Sequence, residues 1–310
     1  MSENQWATLI GAAGLVLAWR LARQLHGSAG VFAAVVAVNA ACALRSVPGS
    51  SDTALAFAVL AVALAFAPNS WGMPGARLLT ALLFGSIGAT FAPGGLHRGL
   101  VGNASMNGQL IAVMLFAVIA HLRASGVATR LLIALFVSAS VAVALTGAST
   151  PVGVLAVMVA AFAIANGRAL YAVAAIVPIA LLRLSLGPVA FDSTGRFEHW
   201  QNIFAWWISS KQYAFGLGLG SYRKIFAVMP ESMGLWAHND YLQLLFETGL
   251  VGLGSLLVVL FYALKKSYAR PWLFASVAGY AAGAGFNFPA HLAPHAFVGC
   301  FLAWLAFRGR

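Results

Sequence analysis

The stretch YLQLLFETGLVGLGSLLVVLFYA, from Tyr241 to Ala263, carries a single formal charge, Glu247, and runs directly into Lys265 and Lys266. An apolar helix of about 20 residues crosses the roughly 30 Å hydrocarbon core of a bilayer. The rest of the chain repeats this pattern. Of its 310 residues, 61% are hydrophobic and 8% are charged, where an ordinary soluble domain has about 25% charged residues. So little charge cannot cover a soluble globule, and so much apolar content rules out intrinsic disorder. The apolar runs are continuous rather than alternating, which favours helices over barrel strands.

The fold class expected is therefore all-α: a polytopic integral membrane bundle of about eleven transmembrane helices forming one domain over 1–310. Candidate spans lie at about 5–24, 28–44, 53–69, 76–92, 104–121, 128–146, 150–166, 169–187, 241–263, 271–288 and 291–307. Glu3 without a basic leader segment argues against a cleavable signal peptide. Cys42 and Cys300, far apart and inside apolar segments, suggest neither a disulfide framework nor a zinc site.

The net charge of +11 resolves into topology. Arg20, Arg23, Arg77, Arg123, Arg130, Arg168, Lys265, Lys266 and Arg270 between spans, and Arg308 and Arg310 after the last one, all fall on one side, with no acid among them. By the positive-inside rule that side is cytoplasmic, which puts the N-terminus outside and the C-terminus inside. Every acid falls on the other side, together with Arg45, Arg98, Arg196, Lys211, Arg223 and Lys224. Basic residues dispersed over many segments do not make a nucleic-acid footprint.

One external segment, 188–240 between spans 8 and 9, is too long for a plain connector and is the candidate functional loop. Within it, RFEHWQNIFAWW (Arg196 to Trp207) places Phe197, Trp200, Phe204 and Trp207 at helical spacing. This predicts an amphipathic helix at the membrane interface, with Trp200, Phe204 and Trp207 touching lipid. GLGLG at 216–220 breaks that helix, and Ser221-Tyr222-Arg223-Lys224 begins a second, short one. The glycine run lacks the Lys-Ser/Thr ending of a phosphate-binding P-loop. His238 stands where the chain re-enters the membrane, and Asn239 or Asp240 can cap span 9.

Arg196 with Trp200, then Gly216-x-Gly218-x-Gly220, then His238-Asn239-x-Tyr241-Leu242 with Glu247-x-Gly249-x-x-Gly252, resembles the O-antigen ligase and polymerase superfamily in order and spacing. Asn287-Phe288-Pro289 with Pro294, and Gly102-Asn103-Ala104-Ser105-Met106-Asn107-Gly108, are similar to further segments of that family. The resemblance covers roughly residues 95–300. The chain departs from it at Ser149-Thr150-Pro151-Val152-Gly153, where the family commonly has Ser-Arg-Gly, and in having eleven spans where the family typically has about twelve.

The resemblance implies a bacterial inner-membrane glycosyltransferase with 188–240 as its periplasmic loop. Such an enzyme moves a glycan from an undecaprenyl diphosphate carrier to an acceptor hydroxyl, as in lipopolysaccharide biosynthesis. The acceptor is lipid A-core, the growing glycan or a protein. The residues suit that chemistry. Arginine's planar fork binds a diphosphate leaving group bidentately, so Arg196, Arg223, Arg183 and Arg98 are the candidate diphosphate contacts. Arg183, inside span 8, is the expected replacement for the missing arginine. Histidine suits a general base near neutral pH, and His238 is the candidate. Asn103, Asn239, Tyr241 and Glu247 are supporting candidates, with Glu247 expected to hold an arginine. His97 and His199 are further polar candidates, while His291, His295, Lys211 and Lys224 read as interfacial. No metal or cofactor is expected. The competing expectations are a transporter or flippase of a lipid-linked or small solute, and a shortened, inactive relative.

Overall fold

The computed structural model describes residues 79–80, 82–87, 90, 103–168, 176–177, 181, 195–226, 237–287, 289–291 and 293–308. Among these residues every regular element is a helix and none is a strand. The elements are α1 (Ala104–Ala124), α2 (Thr129–Leu145), α3 (Ser149–Ala165), α4 (Arg196–Ser210), α5 (Ser221–Phe226), α6 (Asp240–Ser267), α7 (Pro271–Ala284), a 3-10 turn (Pro289–His291) and α8 (Ala293–Arg308). The expected spans at 104–121, 128–146, 150–166, 241–263, 271–288 and 291–307 each coincide with one of these helices within a few residues. The expected spans at 5–24, 28–44 and 53–69 lie outside the described residues, as does Cys42. Those at 76–92 and 169–187 show helical residues at 79–80, 82–87 and 90, and at 176–177 and 181.

Among the described residues two helices, α1 with 21 residues and α6 with 28, are long and apolar enough to cross a membrane. The shorter apolar helices α2 and α3 have 17 residues each, about 25 Å at 1.5 Å per residue.

The chain divides into two compact units, one containing the described residues 195–226 and 237–262, the other containing 79–181 and 263–308. In the second unit α1, α3 and α7 form the centre. Asn103 caps α1 by accepting the Met106 amide at 3.0 Å, and Pro271 opens α7 where its missing N–H costs nothing. Phe116, Phe162 and Trp272 cluster with ring centroids 4.3–5.7 Å apart, joining the late turns of α1 and α3 to the first turn of α7. The small face of α7 lets the helices close up: a Cβ at Gly279 would meet the Met158 side chain of α3 at 2.2 Å.

These contacts run α7 antiparallel to α1 and α3. At the far end of α7, Asn287 donates to Ser105 at 3.1 Å and to Gln109 at 3.0 Å. His295 bonds the Met106 carbonyl at 2.8 Å, and Asn107 donates to Thr90 at 2.9 Å. At the near end Arg270 donates to the carbonyls of Leu305 and Ala306, each at 2.9 Å, closing the C-terminus of α8. The consequence for charge is direct. Arg123 at the end of α1, Arg168 just after α3, Arg270 at the start of α7 and Arg308 at the end of α8 lie at one end of this unit. The amide-rich cluster lies at the other.

Candidate functional site

The first unit contains the helix α4, the glycine loop, α5 and most of α6. Its core is Ile203, Trp207, Tyr222, Phe226, Ala237, Leu245 and Phe246, with Trp200 packed against it. This corrects the expected lipid face of α4. Trp207 is 7% exposed and Trp200 half-buried, whereas Phe197, Phe204, Trp206 and Ile208 are 44–53% exposed. The apolar stripe seen in the sequence is wider than the buried one, and the buried one is centred on Ile203 and includes the polar His199. Of the expected lipid contacts, Phe204 is exposed, Trp200 is half-buried and Trp207 is buried.

α6 is not one continuous helix. Gly249 has φ 66° and ψ −165°, a conformation only glycine adopts readily, and it divides the helix into 240–248 and 250–267. A break frees carbonyls on one side and amides on the other, and buried backbone groups must be paired. The glycine loop supplies the partners. Leu217 and Gly218 donate to the carbonyls of Phe246 and Glu247 at 3.0 and 2.8 Å, while Leu250 and Val251 donate to those of Tyr213 and Ala214 at 2.8 and 3.0 Å. The two backbones touch at the glycines. A Cβ at Gly216 would lie 2.5 Å from the Glu247 carbonyl carbon, and one at Gly249 would lie 2.5 Å from Ala214. The spacings Gly-x-Gly-x-Gly and Glu-x-Gly are thus two halves of one interlock.

Glu247, 4% exposed, sits at this junction. A buried carboxylate needs hydrogen-bond partners. Its carboxylate accepts from the Gln243 amide at 3.2 Å and from the backbone amides of Gly220 and Tyr222, where α5 begins. Tyr222, buried, bonds His199, which lies on the inward face of α4. Burial, followed by the charge of Glu247, raises the Tyr222 hydroxyl's pKa, and burial lowers that of His199.

His238 lies on the turn that starts α6, in the left-handed region at φ 52°. Its neighbours are fixed on both sides. The Ala237 carbonyl accepts from the Trp200 indole at 2.8 Å, and the Ala237 amide donates to Gln243 Oε1 at 3.2 Å. Asn239 is the cap: its side chain accepts the Leu242 amide at 3.0 Å and its carbonyl accepts the Gln243 amide at 3.0 Å. Burial, then the charge of Arg196, then His199, push the His238 pKa down to about 4. At neutral pH its imidazole is uncharged. The charge of Arg196 on α4 thus acts on the His238 ring across the unit.

The remaining candidates divide. Tyr241 is half-buried in the first turn of α6, and Arg223 and Lys224 are exposed on α5. Asn103 belongs to the other unit, where it caps α1. Arg98, His97 and Arg183 lie outside the described residues. Gln243 and the His199–Tyr222 pair are the residues the sequence reading undervalued. Only the four-residue spacing of Gln243 and Glu247 hinted at the first. Among the described residues, no group of three or more His, Cys, Asp or Glu side chains is placed to hold a metal ion. No protein-family model matches the chain, and no curated protein matches it.

Proposed function

We propose that the chain is an eleven-span inner-membrane glycosyltransferase of the O-antigen ligase type, with its N-terminus and the 188–240 loop in the periplasm and its C-terminus in the cytoplasm. It transfers a glycan from an undecaprenyl diphosphate carrier to a hydroxyl of lipid A-core, of a growing glycan or of a protein. The observation that carries this reading is His238, set at φ 52° by hydrogen bonds on both sides of it and under the charge of Arg196, at the start of a candidate span. The imidazole takes the proton of the attacking hydroxyl while the guanidinium neutralises the departing diphosphate. Arg223, exposed on the neighbouring short helix, is the second diphosphate contact, and Arg183 and Arg98 are assigned the same role. Asn239 and Glu247 support the backbone around the base. The exposed ring of Phe204 meets the polyprenyl chain or the surrounding lipid. The gathering of Arg123, Arg168, Arg270 and Arg308 at one end of the second unit supports the orientation, since basic residues collect on the cytoplasmic face.

A transporter is the second reading, and the broken helix α6 is the observation in its favour, since transporters use discontinuous helices. In this chain the broken backbone is filled by the glycine loop rather than left to coordinate a solute, which favours the transferase. The test is release of undecaprenyl diphosphate from a lipid-linked oligosaccharide by the purified protein with each acceptor class. Release that is lost in His238→Ala and Arg196→Ala supports the transferase. Wild-type inactivity with every acceptor rejects it in favour of a transporter or an inactive relative.

A further inference from the structure

We propose that Gln243 is a positioning residue for His238, tying the backbone ahead of the histidine to Glu247 and, through Glu247, to the start of the helix that carries Arg223. The role rests on the transferase reading of His238, but the contacts themselves do not.

The amide of Gln243 has two ends with different jobs. One end meets the Ala237 N–H, which can only donate, so the oxygen of Gln243 must face it. That leaves the nitrogen of Gln243 to face Glu247, whose Oε1 accepts from it at 3.2 Å. The partners therefore settle the orientation of the amide. Few side chains could do this. Leucine or methionine offers neither bond, and lysine or arginine offers no acceptor. A glutamate would set two carboxylates together, and an asparagine is one methylene shorter. Gln243 is itself 3% exposed, so loss of either bond leaves a buried polar group without its partner.

What the bridge holds is a backbone that does not hold itself. A non-glycine residue at φ 52° is strained, and strain persists only where the surroundings over-determine it. For His238 those surroundings are the Trp200 indole on the Ala237 carbonyl, Gln243 on the Ala237 amide, and the Asn239 cap beyond. Glu247 then carries the register onward to the Gly220 and Tyr222 amides, one residue from Arg223. Base and candidate diphosphate contact are thereby set relative to each other by a chain of hydrogen bonds through one glutamine.

The test compares full-length wild-type protein with Gln243→Met, Glu247→Gln and the double variant, each in the same detergent. Two quantities are read. The first is kcat and KM for a lipid-diphosphate oligosaccharide donor. A misplacement of about 1 Å costs roughly 100-fold in rate, so kcat per folded molecule is expected to fall 10- to 100-fold in Gln243→Met, with donor KM changed less than kcat. The double variant is expected to fall no further than the worse single one, because both act through one chain. The second is acylation of His238 by diethyl pyrocarbonate, mapped by peptide mass spectrometry from about pH 4 to pH 8. The charged and titratable groups that act on the histidine are Arg196 and His199 on α4, and neither is altered. In wild-type protein acylation should persist well below pH 6.5. In Gln243→Met its acid limb should move up toward the ordinary histidine value of about 6.5 as the turn relaxes. Should Gln243→Met not fold, Gln243→Asn, which keeps an amide but shortens the reach, takes its place. An unchanged kcat and an unchanged acylation profile overturn the proposal. A wild-type protein inactive with all acceptors rejects the transferase reading, and the acylation profile still decides whether Gln243 holds His238.

Discussion

Replacing Gly249 by alanine tests the interlock on which the site is built. The residue sits at φ 66° and ψ −165°, and an added Cβ would lie 2.5 Å from the Ala214 backbone and 2.6 Å from the Gly216 nitrogen. Neither neighbour is a flexible side chain, so backbone must move. The conformation alone costs about 1–3 kcal/mol for a non-glycine residue. Separating the two backbones gives up the four hydrogen bonds of Leu217, Gly218, Leu250 and Val251, each worth about 0.5–1.5 kcal/mol net. The interlock is therefore expected to open more readily by at least ~3 kcal/mol, about 100-fold in its opening equilibrium. Hydrogen exchange at those four amides, followed by mass spectrometry in detergent, reads this directly. The control lies in the same helix: a Cβ at Gly254 meets nothing within 4 Å, so Gly254→Ala should be neutral or stabilise by roughly 0.5–1 kcal/mol. If exchange at the four amides in Gly249→Ala matches wild type, the interlock is not what holds the loop to the helix.

Three further outcomes are expected. Trp207→Ala should destabilise the first unit by about 3–5 kcal/mol, as for a buried aromatic. Phe204→Ala, at an exposed position, should leave the unfolding temperature within a degree or two yet raise KM for the lipid donor. Equal effects of the two on stability would contradict the observed face of α4. Because the folded pKa of His238 is lowered, the unfolded chain binds a proton between about pH 6.5 and pH 4 that the folded chain does not. Stability should accordingly fall as pH drops through that window, and His238→Gln should flatten the decline in the unfolding midpoint. Gly252→Ala would place its Cβ against the Thr248 side chain, so it should lower stability. Thr248→Gly, which removes the Cβ that the added one would also meet, should suppress part of the defect, and additive effects of the two changes would refute the contact.

Much of the helical architecture was legible in the sequence because a bilayer constrains length and composition so strongly. Apolar runs bounded by Arg123, Arg130, Arg168 and Arg270 marked helix ends that the structure places within a few residues of those expected. The short helix after the glycine run and the capping role at Asn239 were also legible, since glycine breaks helices and asparagine caps them. The face of α4 was only half legible. Helical periodicity finds an apolar stripe, but Phe204 and Trp207 are equally apolar, and only packing into the core with Ile203 and its neighbours selects which of them is buried.

The sequence by itself determined that this chain is helical and apolar enough for a membrane, and where its basic residues fall along the helices. Those properties follow from composition and local spacing, and need no partner. The tertiary structure decided that the glycine loop fills a break in α6, that Glu247 is held by Gln243 and backbone amides, and that His238 is neutral under the charge of Arg196. Apart from the Gln243–Glu247 bond within one helix, each of those depends on groups about 25 to 42 residues apart coming together, and no local pattern encodes such a meeting.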